Sequence, residues 1–295
     1  MTDAITVSAP RRSASAILFR YDLLPTLLVV GLAALAITWG HSAGLRFTLP
    51  LSVIIAGPFA AIALAIYYTR VKPDPKIAEI ALYVGLWLFY PAFGVELTYL
   101  GTRLDFPLRD QTFIAWDRAL GFDWLAWARF VLAHPLFKSV GDAAYSSCFW
   151  QPLAAIPLLA WLGPKGSNGE FLTSVMFGLL LTNAVYCFFP TIGPADIEHI
   201  RATGQIVEAL RSGFQGPYSY VGIVAFPSFH TVMAILFTLA LRHTRWLFAG
   251  FGILNLAMLS AVPFQGNHYI SDMIAGAAIA IAAFWAARRV YRITD

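Results

Sequence analysis

Two short segments in the last quarter of the chain hold residue types with chemistry to offer. They are Phe226-Pro227-Ser228-Phe229-His230-Thr231 and Gly266-Asn267-His268-Tyr269-Ile270-Ser271-Asp272. Each opens an apolar run, 231–241 after the first and 273–287 after the second. A histidine therefore stands at the mouth of each of two expected membrane helices. Asp272 follows His268 by four residues, so on a helix the two share a face and can hydrogen-bond. Ionisable groups in membrane segments cost insertion energy and mark function by default. A single histidine there would do no more than bond to headgroups or water; two, with an i+4 carboxylate, point to a site.

The chemistry such a set permits is phosphoryl transfer. An imidazole can attack phosphorus through one ring nitrogen, splitting a hard displacement into two easier ones. The other nitrogen must then be held as an N–H donor, which a carboxylate one helical turn away achieves while stabilising the positive charge that develops. A second histidine can protonate the leaving oxygen and later take a proton from the incoming hydroxyl, help worth roughly 10²–10⁴ in rate. Histidine's ordinary pKa of about 6.5 suits both parts. The phosphoryl oxygens need donors, and Ser228 with the free N–H groups at the start of its helix supplies them.

These residues need a scaffold, and composition says which. Of 295 residues, 59% are hydrophobic, 15% aromatic and only 12% charged, too apolar for a soluble domain. A hydrocarbon core takes about 20 apolar residues per helical span. Runs of that kind fall at 23–39, 49–68, 77–97, 140–162, 171–189, 225–241, 246–264 and 269–287. The expected fold is all-α, a polytopic membrane helical bundle of about eight spans. Pro73 and Pro75 separate the second span from the third, Pro152 and Pro157 interrupt the fourth, and a turn-rich loop at 164–169 follows it. Between 98 and 138, Asp105, Arg109, Asp110, Asp117, Arg118, Asp123 and Arg129 interleave with Trp116, Trp124 and Trp127. Apolar residues at 113, 116, 120, 124, 127 and 131 keep helical spacing. That suits an amphipathic helical segment lying in the interface plane.

The net charge of +4 could suggest a nucleic-acid partner, but twelve of the twenty basic residues flank span ends on one side, so none is expected. By the positive-inside rule that side, with both termini, is cytoplasmic. His230 and His268 then open toward the periplasm or lumen, and a bacterial inner membrane is the expected home. Cys148 and Cys187 sit in apolar runs as inert thiols. The polar N-terminus has no cleavage site after the first span, which is taken as uncleaved. The organisation expected is a cytoplasmic tail (1–22), N-terminal spans with the interfacial segment (23–139), and a catalytic helical core (140–295).

Pro227-Ser228-Phe229-His230 resembles the Pro-Ser-Gly-His motif of the type 2 phosphatidic acid phosphatase superfamily, with Phe for Gly. His268-x3-Asp272 resembles the end of its third motif, Ser-Arg-x5-His-x3-Asp. The resemblance implies that His230 is the acid/base and His268 the nucleophile, oriented by Asp272. Ala261 and Val262 occupy the Ser-Arg positions, and the chain has no Arg-Pro dipeptide, so the first motif, Lys-x6-Arg-Pro, is absent. Gly-Asn-His-Tyr-Ile-Ser-Asp and the proline-rich 189–194 stretch look like the branch of inositol phosphorylceramide and sphingomyelin synthases. A phosphodiester carries one charge and needs fewer cations than a monoester, which favours a diester transferase.

The expectation is therefore a head-group phosphotransferase moving a phospho-alcohol, inositol-phosphate-like, from a phospholipid donor to a lipid-alcohol acceptor. The alternatives are a lipid or isoprenoid phosphate phosphatase and, from another class, a transporter. A transporter would want mid-span charges and a repeated pair of broken helices; neither appears. Ser228, Asn267, Tyr269, Arg201 and Arg211 are the expected substrate-binding residues, the two arginines standing in for the lost clamp. No metal or other cofactor is expected. His199, Glu198 and Asp196 are taken as loop charge, and Glu96 as a snorkelling span-end residue.

Overall fold

A chain crossing hydrocarbon must satisfy its backbone polar groups internally, and these apolar runs do so as helices. In the computed structural model, residues 14–194 and 198–291 are described, with side chains for all of these except 14–20, 51 and 198–201. Twelve α-helices are found there: α1 (Ala14–Ala43), α2 (Leu51–Arg70), α3 (Pro75–Thr102), α4 (Asp110–Ala119), α5 (Trp124–Ala133) and α6 (Pro135–Ser146). They continue with α7 (Gln151–Leu162), α8 (Ser167–Phe188), α9 (Glu198–Arg211), α10 (Phe229–Ala240), α11 (Arg245–Gln265) and α12 (Ile270–Tyr291). Among the described residues there is no strand, only an isolated bridge between Phe47 and Tyr218. Six helices, α1, α2, α3, α8, α11 and α12, are long and apolar enough to cross a bilayer. The chain is an integral membrane protein.

The fourth and sixth expected spans take a different form. Residues 140–162 are not one helix: α6 ends at Ser146, a 3-10 turn covers Ser147–Phe149, and α7 starts at Gln151 with Pro152 in its first turn. Proline lacks an N–H and fits a helix start, which is why the break falls there. Helix α10 has 12 residues, about 18 Å of rise, against a hydrocarbon thickness of about 30 Å. The expected interfacial segment is two short helices, α4 and α5, separated by Gly121 at φ +76°.

The core that carries α10 is built from α1, α3, α7, α8, α11 and α12, with Val232, Leu236 and Phe237 of α10 buried against Val175, Met176 and Phe284. Polar side chains tie the helices where apolar packing alone is not selective. Gln151 Nε2 donates to Asn255 Oδ1 at 2.9 Å, and Asn255 Nδ2 donates to Thr238 Oγ1 at 3.0 Å, linking α7, α11 and α10. At the far end of α10, Arg242 and Glu170 form a buried ion pair at 2.6 Å. Thr98 Oγ1 donates to Asn183 Oδ1 at 2.7 Å between α3 and α8.

Candidate active site

Helix α10 starts at Phe229 because Ser228 caps it: the Ser228 Oγ accepts the Thr231 N–H at 3.3 Å. This puts His230 in the first turn. Helix α11 ends at Gln265, and Gly266, Asn267, His268 and Tyr269 make the turn into α12. Asn267 takes the left-handed conformation at φ +53°, one that asparagine tolerates better than most residues. The two helix starts are tied together, since the Ser228 N–H donates to the Asp272 carbonyl at 3.0 Å. Gly276 makes that approach possible: a Cβ there would sit 2.5 Å from the Ser228 carbonyl oxygen.

The expected pair is formed. His268 Nδ1 lies 3.2 Å from Asp272 Oδ2, and the same oxygen accepts the Tyr269 N–H at 2.8 Å. Asp272 is fully buried and His268 is 2% exposed. With Nδ1 engaged by Asp272, Nε2 is the ring nitrogen turned away from the carboxylate. Burial pushes the His268 imidazole down to about 4, opposed by the Ala225 carbonyl, which favours the protonated ring. The ring rests over Gly266, where an added Cβ would meet Cδ2 at 2.5 Å and Nε2 at 3.1 Å. The His230 and His268 ring centroids are 6.2 Å apart.

His230 has a partner absent from the sequence reading. Tyr145 of α6 stacks on its ring at 4.3 Å and places its hydroxyl 3.2 Å from Nδ1. Lys138 lies two turns earlier on α6 and pairs with Asp142 at 2.7 Å, while Gln265 donates to the other Asp142 oxygen. Lys138-x6-Tyr145-Ser146 has the spacing of the Lys-x6-Arg-Pro motif, with Tyr for Arg and Ser for Pro. That spacing was the available signal. Helix α6 packs on α11 where Gly141 faces Ala261 closely enough that a Cβ at 141 would lie 3.1 Å from the Ala261 Cβ. Close helix packing fills the place where the third motif would put Ser-Arg, and Val262 is fully buried there.

The other expected contacts divide. Asn267 Nδ2 donates to the Ile192 carbonyl at 3.2 Å, and its buried Oδ1 has no hydrogen-bond partner among the described residues. Tyr269 is buried and donates its hydroxyl to Asp110 Oδ1 at 3.1 Å, turned toward α4. Arg211 donates to the Phe106 carbonyl at 2.6 Å and lies 3.3 Å from Asp105. It lines a cavity of about 350 Å³ with Leu108, Ile192, Val207 and Glu208. The side chains of Arg201, His199 and Glu198, and the whole of Asp196, lie outside the described residues.

The fold is that of a membrane-embedded helical protein, and the site brings together two histidines with an aspartate beside one of them. The comparison with known families agrees. A model described as the PAP2 superfamily matches residues 111–286, more than half of the chain. The chain belongs to the PAP2 superfamily, and its activity is of the phosphatase/phosphotransferase kind on lipid phosphates. No curated protein and no solved structure matches it.

Proposed function

We propose that the protein is a lipid head-group phosphotransferase, similar to the inositol phosphorylceramide and sphingomyelin synthase branch. It moves a phospho-alcohol, inositol-phosphate-like, from a phospholipid to a lipid hydroxyl. In the first step His268 Nε2 attacks phosphorus and the bond from phosphorus to the donor lipid's oxygen breaks. That oxygen takes a proton from His230 Nε2. In the second step the acceptor hydroxyl gives its proton back to His230 and attacks phosphorus, and the P–N bond breaks. His230 enters the first step as imidazolium and is neutral after it; Nδ1–H donates to the Tyr145 oxygen throughout, and the Nε2 proton is the one that leaves and returns. Asp272 steadies the positive charge on His268 during attack.

The observation that carries transfer over plain hydrolysis is the loss of cations around a two-histidine core. Tyr145 stands where the first motif has Arg, and Val262 is packed in the core where the third has Arg. Lys138 remains as the cation on α6. A singly charged diester suits this set better than a dianionic monoester. The positive-inside arrangement supports a site open to the periplasmic or lumenal side. The test is to incubate purified protein with a panel of phospholipids, with and without ceramide or diacylglycerol, and to resolve products by mass spectrometry. Head-group transfer that depends on the lipid alcohol supports the reading. Release of a phosphomonoester or inorganic phosphate at the same rate without acceptor refutes it in favour of a phosphatase.

A further inference from the structure

Helix α4 carries Asp110, Phe113 and Asp117 at i, i+3 and i+7, one face of a helix. Every one of them is spent on the catalytic segments. Asp117 is 4% exposed although it belongs to a charged interfacial stretch. Its Oδ2 accepts the Ile270 N–H at 2.8 Å, and its Oδ1 accepts the Ser271 N–H at 3.0 Å and the Ser271 hydroxyl at 2.9 Å. These are the first amides of α12, which have no partner within their own helix. Asp110 Oδ1 accepts the Tyr269 hydroxyl at 3.1 Å and the N–H groups of Ile192 and Gly193, each at 3.0 Å. The Ile192 carbonyl in turn accepts from Asn267. Phe113 packs between, 4.2 Å from the Phe226 ring and 5.9 Å from that of Tyr269.

Residues 267, 269, 270 and 271 are thus held by α4, or by the loop that α4 holds. His268 alone in this run keeps its side chain for Asp272. We infer that Asp117, supported by Asp110, is a positioning residue for the nucleophile: it fixes the first turn of α12 and so the Asp272–His268 pair. The inference rests on His268 being the nucleophile. The physical route is short. Without the Asp117 carboxylate the Ile270 and Ser271 amides lose their acceptor, the first turn frays, and Asp272 no longer sets the direction of the His268 ring. A shift near 1 Å in a reacting atom costs on the order of 10²-fold in rate.

The test compares Asp117→Asn, Asp117→Ala and Ser271→Ala with wild type on bis(p-nitrophenyl) phosphate in detergent micelles. Asp123→Asn serves as control, because Asp123 caps α5 at Leu125 and Ala126 and touches neither histidine. Rates are taken per folded molecule, from the monodisperse gel-filtration peak and thermal melting. The inference expects kcat to fall roughly 10- to 100-fold in Asp117→Asn and further in Asp117→Ala. KM should stay within about threefold and Asp123→Asn near wild type, since substrate binding is not what α4 supplies. Ser271→Ala removes one bond to the same carboxylate and keeps both backbone bonds, so it folds readily and should lose only a few-fold in kcat. A kcat for Asp117→Asn within twofold of wild type overturns the inference. So does a loss matched by the loss of folded protein, with Ser271→Ala unchanged. His268→Ala separates the layers: if it keeps turning over, the nucleophile assignment fails; if it is dead while Asp117→Asn is normal, only the positioning fails.

Discussion

Replacing Gly266 by Ala perturbs His268, the proposed nucleophile, through one added methyl group. Gly266 has φ −89° and ψ −7°, torsions alanine adopts without strain, but the added Cβ would also stand 2.9 Å from the Val262 carbonyl oxygen. The new Cβ would stand 2.5 Å from Cδ2 of His268. Ordinary carbon–carbon contact begins at about 3.5 Å, so the ring must move by about 1 Å or the turn must open by as much. The Asp272 bond at 3.2 Å is already long and cannot follow that movement intact. A 1 Å misplacement of a reacting atom costs on the order of 10²-fold, about 2.7 kcal/mol in the barrier. The assay is single-turnover release of nitrophenolate from bis(p-nitrophenyl) phosphate, with thermal melting alongside. The expected result is a roughly hundredfold slower first step per folded molecule, with a lowered melting temperature from the Val262 contact. Wild-type rates in Gly266→Ala would show that the His268 ring does not work from this position.

Removal of the acid/base should depend on the leaving group. His230→Ala should slow release of a poor alkoxide by roughly 10²–10⁴ and largely spare nitrophenolate, as measured by paired kinetics on the two substrate types; equal losses on both would sink the two-histidine scheme. Burial holds His268 neutral down to about 4, so the acid limb of the first step should bend well below the ordinary 6.5 in a pH–rate profile. The folded state binds fewer protons than the unfolded one between those values, so this residue withdraws stability as pH falls from about 6.5 to 4, not as it rises. A limb centred at 6.5 would contradict a buried neutral nucleophile. For orientation, a cysteine placed in the 212–222 loop should react with an impermeant thiol reagent outside intact cells and one beside Arg242 should not; the reverse pattern would turn the site to the cytoplasm.

The helical bundle and the pairing of His268 with Asp272 were legible because their signals are local. Apolar runs give spans, and an i, i+4 pair needs only one turn of helix to meet. What escaped depends on contacts between distant segments. Asp117 and Asp110 sit among charges at a membrane surface, where solvated carboxylates are the default, and their acceptor role needs α12, some 150 residues on in the chain. Tyr145 was hidden by substitution: with Tyr for Arg and Ser for Pro, only the Lys138 spacing remained of the first motif. The break in the fourth span was half visible in Pro152, but the turn that places Tyr145 against His230 requires the packing of α6 on α11. Arg211, expected from its charge to bind phosphate, meets Asp105 and the Phe106 carbonyl and also lines a cavity, contacts that the sequence pattern does not encode.

The central claim is that phosphorus passes through His268. The most direct measurement is acid-free, alkaline quenching of the enzyme during turnover of bis(p-nitrophenyl) phosphate, followed by peptide mapping of the phosphorylated histidine by mass spectrometry. The account predicts a base-stable, acid-labile modification on His268 that accumulates in His230→Ala, where the second step lacks its base, and is absent from His268→Ala. A modification on His230, or full turnover by His268→Ala, would contradict it.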